Sequence, residues 1–297
     1  MSTLKPRVVI VERETELEAL LARHATRGQV AFFLERHHQS LAEIDARHRL
    51  QKDVVDAVRS AVPDAWSIAR VARADLDRFL FFPNDIVVPV GQDGLVANVA
   101  KYLDGQPVIG IAPDPASGEG ILTRHAPAAA ASLFRRTGAG DIDIEPRAMV
   151  EAETDTGETL TALNEIFLGH RSHQSARYEI EAGGQAEFQS SSGVIVATGT
   201  GLTGWARSIM EATGQDFAFA PTDPTAAFFA REPWPSRLSG TSLRAGRIGP
   251  DTPLRLVSRM NEGGVIFADG IEQDFLHFDW GTGTRIRLAD RALALVA

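Results

Sequence analysis

Four short apolar runs, each parted from the next by a helix-like stretch or turn, organise the first 112 residues. They are Arg7–Val11, Ala65–Val71 (Trp66, Ile68, Val71), Asp85–Val90 and Val108–Ile111. Runs this short and rich in β-branched residues suit strands buried on both faces. Thr15 to Ala25 places Leu17, Leu20 and Leu21 on one helical face. Ser40 to Ala61 does the same with Leu41, Ile44, Leu50, Val54, Val55 and Val58, and stops before Pro63. A short helix is expected over Asp75 to Phe79, and another after the turn Gly91-Gln92-Asp93-Gly94. Strands and helices in this alternation predict an α/β fold with a doubly wound, Rossmann-like parallel sheet. A ligand of such a sheet lies at the carboxyl ends of its strands, where Gly91–Gly94 falls.

Phe32-Phe33-Leu34-Glu35-Arg36-His37-His38 is apolar and then abruptly basic. Adjacent histidines on a helix point about 100° apart, so His37 and His38 are not expected to converge on one metal ion. A surface or interface role is the better expectation.

The rhythm changes after about Pro127. A helix over Ala128–Arg136 leads into shorter segments at Asp141–Glu145, Arg147–Glu153, Glu158–Phe167 and Arg177–Glu181, separated by turn residues such as Asp155-Thr156-Gly157. This pattern predicts an antiparallel β domain. Pro221 to Pro235 is expected to be a surface loop, with strand character returning at Leu254–Arg259, Gly264–Asp269, Asp274–Trp280 and Thr284–Leu288. The expected division is residues 1–126 as the α/β domain and 127–282 as the β-rich domain.

Charge and cysteine content narrow the function. The 297 residues carry a net charge of −9, which gives no basic footprint for nucleic acid, so an anionic substrate must be met locally. The absence of cysteine excludes disulfides, zinc–thiolate sites and cysteine nucleophiles. No apolar run spans a bilayer and the charged N-terminus does not resemble a signal peptide, so a cytoplasmic protein without membrane attachment is expected.

Four constellations carry candidate chemistry. Val194 to Ala197 reads as a buried strand, followed by Thr198-Gly199-Thr200-Gly201-Leu202-Thr203-Gly204-Trp205. Such a turn exposes backbone N–H groups and hydroxyls, and its glycines let a ligand approach the backbone. Asp93, on a glycine turn after a strand, can take a proton from a substrate hydroxyl or organise a magnesium ion, although local chemistry alone favours a cap on the next helix. Asn164-Glu165 sits between apolar runs and suits a base edge and a pair of ribose hydroxyls, or a solvated strand end. Asp269-Gly270 follows Val265-Ile266-Phe267 and reads locally as a turn opener.

The order of these pieces resembles the NAD kinases, within a superfamily that includes the diacylglycerol and sphingosine kinases. The similar stretches are Leu34–His38, Pro107–Gly110, Asp114-Pro115 with Ser117, Glu119 and Gly120, Ala162–Glu165, and Ser191-Ser192-Gly193 with Thr198–Gly201. The wording is nearest to the mitochondrial-type branch. The resemblance implies an α/β domain plus a β-sandwich-like domain, with residues 283–297 returning to the first. It implies transfer of the γ-phosphoryl of ATP, with Mg2+, to the adenosine ribose 2′-hydroxyl of NAD, giving NADP in a homodimer. Asp93 would be the base. Gly91, Gln92 and Gly94 would meet phosphate, and Asn164 and Glu165 the nucleoside. Thr198, Thr200, Gly201, Thr203, Trp205 and Asp269 would line the dinucleotide site.

The chain departs from the family's Gly-Gly-Asp-Gly-Thr at Gln92 and Leu95. Were position 92 at positive φ, Gln would be strained there by roughly 1 kcal/mol. Leu95 removes a hydroxyl. A weakened NAD(P)-binding relative, or a sugar or lipid kinase of the same superfamily, are therefore the alternatives.

Overall fold

The computed structural model describes residues 5–114 and 120–297, so Pro115, Ser117 and Glu119 of the resembling stretch lie outside the described residues. The chain divides into two units, Met1–Glu145 with Ala294–Ala297, and Pro146–Leu293.

In the first unit, β1 (Arg7–Glu12) leads to α1 (Glu16–His24), α2 (Arg27–Arg36) and α3 (Leu41–Ser60). Next come β2 (Ser67–Ala72), a 3-10 turn (Arg73–Arg78), β3 (Asp85–Pro89), α4 (Asp93–Ala100), β4 (Pro107–Val108), α5 (Ala130–Ala139) and β5 (Ile144–Arg147). The sheet order is β2, β1, β3, β4, the chain's last strand (Leu293–Val296), then β5. β1 pairs in parallel with β2 and β3, and β4 in parallel with β3 and the last strand. The expected parallel sheet is present. Its core joins Val8, Ile10, Val88 and Ile109 to Val54, Val55 and Val58 of α3 and Phe134 of α5.

Local chemistry sets the helix starts. Thr15 accepts from the amide of Glu18 while the Glu18 carboxylate accepts from that of Thr15, a reciprocal cap. Ser40 caps α3 through the Glu43 amide. Thr26 caps α2 through the Gln29 amide. At the sheet, buried Asp85 takes a bidentate bond from Arg7 (2.8 and 2.5 Å) and locks the β1–β3 register where the two residues face each other.

The second unit is antiparallel. Its strands are β6 (Val150–Thr154), β7 (Thr159–Ala162), β8 (Glu165–His170), β9 (Ala176–Ala182), β10 (Gln185–Ser191) and β11 (Val194–Thr198). After α6 (Trp205–Thr213) come β12 (Ala226–Ala230), β13 (Ala245–Ile248), β14 (Leu254–Ser258), β15 (Gly264–Ala268), β16 (Phe275–His277) and β17 (Gly283–Leu288). One six-stranded sheet has the order β10-β9-β14-β17-β6-β7, the other β13-β12-β11-β8-β15-β16. Val150, Tyr178, Leu256 and Ile286 of the first meet Ile166, Val196, Phe228 and Ile266 of the second in one core, a sandwich.

Two expectations fail here. Pro221–Pro235 is not a surface loop throughout: Ala226–Ala230 is a fully buried strand between β11 and β13. The prolines flank this strand, leaving five apolar residues with free N–H groups to complete both ladders. Glu158–Phe167 is two strands, β7 and β8, parted at Leu163-Asn164 by a turn that Asp269 holds, as described below. Among the described residues no helix is long and apolar enough to cross a membrane.

Candidate functional site

In the first unit the candidate residues sit where β3 runs out. Val90 donates to Val11 and Gly91 to Ile111 (2.9 and 3.0 Å), so the sheet pins the turn on both sides. The Gln51 amide on α3 adds a bond to the Val90 carbonyl at 2.8 Å. Gln92 is the exposed N-cap of α4 at φ −91° and ψ 164°, and its side chain makes no capping bond. That is ordinary extended backbone, so the strain feared for Gln at this position is absent. Leu95 is buried, and a Cβ at Gly91 would lie 3.3 Å from its Cδ2. Leu95 thus fills the space beneath the turn, where it offers no polar atom.

Asp93 does not cap its own helix. Its Oδ2 accepts from the Ile121 amide (2.7 Å), and its Oδ1 from the Leu122 amide (3.1 Å), the Thr123 amide and the Thr123 hydroxyl (both 2.8 Å). A carboxylate has about four acceptor positions, two on each oxygen. Oδ1 is fully engaged, whereas among the described residues Oδ2 meets one donor. The clasped segment needs its glycines. A Cβ at Gly120 would press on Thr123 and Asp93, and one at Gly110 would strike the Leu122 carbonyl. A Cβ at Gly94 would meet nothing within 4 Å.

The candidates in the second unit come together around Asp269. This residue ends β15 at φ 50°, in the left-handed region, and is buried. Its carboxylate accepts the amides of Leu163 (2.9 Å), Asn164 (2.7 Å) and Glu165 (3.2 Å). Three converging N–H groups bend the chain between β7 and β8. From the other side Thr198, at the end of β11, donates its amide to the Asn164 carbonyl (3.0 Å) and its hydroxyl to that of Leu163 (2.5 Å). The Gly201 amide returns to the Thr198 hydroxyl (3.2 Å), and a Cβ at Gly201 would strike the Asn164 carbonyl. Thr198, Gly201 and Asp269 therefore build the turn.

What the turn presents is unpaired. No side-chain hydrogen bond is found for Asn164 or Glu165 among the described residues, and the buried Thr200 Oγ1 has no partner. Burial, and then the neighbouring Asp269 carboxylate, push the Glu165 carboxyl up to about 7. Thr203 donates its hydroxyl to the Thr200 carbonyl (2.8 Å) and steadies the short 3-10 turn. Trp205 stacks on Phe167 at 6.1 Å and carries the Arg231 guanidinium 5.1 Å above its ring. An acid, an amide and a hydroxyl gathered about one turn can hydrogen-bond a nucleoside.

Sequence reasoning missed Thr123, Gln51 and Arg231. Thr123 lies just after Gly120 of the resembling stretch, which was the available signal. Nothing in the sequence marks Gln51 or Arg231. Among the described residues no three of His, Asp and Glu gather in a way that would hold a metal ion.

Comparison with known proteins bears on these features. No family model matches the chain. Over 127 residues it is 28% identical to an NAD kinase of Chlorobaculum tepidum, an alignment covering 42% of this chain and 44% of that relative. The match thus spans less than half the relative's length. The fold is similar to that of the yeast NADH kinase complexed with NADH, with TM-score 0.60 and 16% identity over 99% of this chain and 84% of that one. It is equally similar to an NAD kinase from Archaeoglobus fulgidus in complex with ATP, with TM-score 0.60 and 18% identity over 98% and 93%. The chain is thus similar to an NAD kinase in sequence over part of its length, and to two kinases of NAD(H) in fold over nearly all of it.

Proposed function

We propose that the protein phosphorylates the 2′-hydroxyl of the adenosine ribose of NAD or NADH, with ATP as donor, to give the corresponding NADP form. The observation that carries this reading is the Asp269-held turn, which offers Asn164, Glu165 and Thr200 with polar atoms that lack protein partners. Thr200 Oγ1 is buried without a partner, which costs about 1–3 kcal/mol, and the half-buried Asn164 and Glu165 side chains are free to meet a polar ligand. The relatives support the reading, since one is a kinase complexed with NADH and another a kinase in complex with ATP.

In this reading Glu165 and Asn164 hold the nucleoside, and Trp205 packs beside it. Asp93 Oδ2, with its open acceptor position, takes the proton from the attacking hydroxyl as the phosphoryl group leaves ATP. Because phosphoryl transfer needs little covalent help, positioning and charge neutralisation supply most of the rate. Magnesium enters as part of the donor, MgATP. No cluster of three or more ligating side chains stands among the described residues, which fits an ion carried by phosphates better than one caged by protein. The backbone at Gly91–Gly94 meets the phosphates without a hydroxyl at position 95. Assembly as a homodimer and residence in the cytoplasm belong to the same proposal.

Leu95 favours one second reading, a protein that binds NAD(P) but turns over slowly, because the phosphate loop has lost a donor. Formation of NADP by purified protein given NAD and MgATP tests the first reading. Tight NAD binding with no product would favour the second.

A further inference from the structure

The three helices that follow β1 build a small core of their own from Leu17, Val30, Leu34 and Ile44. Where α1 turns into α2, Ala25 takes φ 63°, unusual for a residue with a Cβ. Beside this turn a cavity of about 670 Å³ opens, lined by Arg23, His24, Gln29, Phe33, Arg36 and His37, with Ala25 and Phe32 at its edge. None of its lining residues is acidic. Neither function considered above uses it.

Three observations give this cavity a chemistry. First, cations in this unit are commonly matched by carboxylates: Arg7 by Asp85, Arg27 by Asp45, Arg47 by Glu16, Lys52 by Glu18, Arg70 by Glu12. No such pair is found for Arg23 or Arg36 among the described residues, although the whole chain carries a net charge of −9. Second, His24 Nε2 is buried and has no hydrogen-bond partner. Third, the two imidazoles are held in place. The rings of His24, Phe33 and His37 lie in a row, tilted by 32° and 34° with centroid separations of 4.5 and 4.3 Å, and His37 Nδ1 bonds the Phe33 carbonyl at 2.7 Å. A carbonyl only accepts, so Nδ1 donates there; Nε2 is left for a ligand, accepting from a P–OH group as the neutral ring or donating to a phosphate oxygen as imidazolium.

We infer that this cavity binds a phosphate-bearing small molecule, its anionic group held between Arg23 and Arg36 and by the imidazoles of His24 and His37. Two guanidiniums without competing acids match phosphate geometry in a way that lone surface lysines do not. The Arg36 guanidinium lies 5.7 Å from the exposed Phe32 ring, which keeps it at the rim. The phosphate group is the shared feature of the candidates, whether inorganic or part of a nucleotide. The inference does not rest on the kinase reading.

The ring signals of His24 and His37, followed by NMR at constant pH and ionic strength, test it in two titrations of the full chain, one with inorganic pyrophosphate and one with ADP. Saturable shifts of both rings are expected in at least one titration, and the tighter ligand identifies the source of the phosphate. Arg23 and Arg36 are exposed, so Arg23→Gln/Arg36→Gln should fold normally and weaken that binding at least about tenfold, by loss of two charge-assisted contacts. NADP formation by this variant should be unchanged. Absence of saturable shifts with both ligands, or equal affinity in the double variant, would overturn the site.

Discussion

Asp269 accepts the backbone N–H of Asn164 at 2.7 Å across 105 residues of sequence. That bond, with those to Leu163 and Glu165, turns a local β-turn opener into the organiser of the proposed nucleoside site. Removing the carboxylate leaves three amides without their acceptor and a Cβ-bearing residue at φ 50°. Asp269→Ala is expected to lower stability by about 2–4 kcal/mol, seen as a fall in denaturation midpoint, and to weaken NAD binding. Asp269→Asn keeps one acceptor and tolerates the left-handed backbone, so it should lose less.

Glu165 gives the structure a pH signature. Its folded-state carboxyl is raised from the usual 4.5 to about 7, so between these values the folded protein holds a proton that the unfolded chain has released. Stability from this group is therefore full below about pH 4.5 and is lost as pH rises through about 7. Glu165→Gln should remove that slope. The difference in melting temperature, variant minus wild type, is expected to grow between pH 5 and pH 8, and a flat difference would contradict the buried-acid account.

Gly201 stands against the Asn164 carbonyl with no room for a Cβ. Gly201→Ala must move backbone rather than a flexible side chain. It is expected to cost about 1–3 kcal/mol and to weaken NAD binding several-fold, measured by calorimetry.

Gln92 departs from the family's glycine without strain, at φ −91°. Gln92→Gly should therefore gain no stability and lose roughly 0.5–1 kcal/mol through added freedom of the unfolded chain. Turnover is expected to stay within about threefold. A large rise in turnover would show that the Gln side chain obstructs phosphate.

The parallel sheet was legible because its strands are uninterrupted β-branched runs and its helices carry hydroxyl caps at Thr15 and Ser40. The motif residues of the second unit were legible as types, but their roles were not. Thr198 and Asp269 read as a ligand-facing hydroxyl and a turn opener, yet the bonds that occupy them run to Leu163, Asn164 and Glu165, far away in sequence. β12 was hidden by prolines at 221, 224, 233 and 235, which border the strand without entering it. Asp93 was legible as a carboxylate on a glycine turn, whereas its grip on residues 121–123 depends on a fold in which Gly110 and Gly120 admit close backbone approach.

The most direct test compares NADP formation from NAD and MgATP by wild-type protein and Asp93→Asn, with Thr123→Val as the control for the clasp alone. Thr123→Val removes one of the three donors to Oδ1 and should leave the rate within about threefold. Asp93→Asn should lower kcat by roughly 10²–10⁴, the usual worth of a general base, while NAD still binds. Equal rates for wild type and Asp93→Asn would contradict the role given to Asp93, and no NADP from the wild type with either NAD or NADH would contradict the kinase itself.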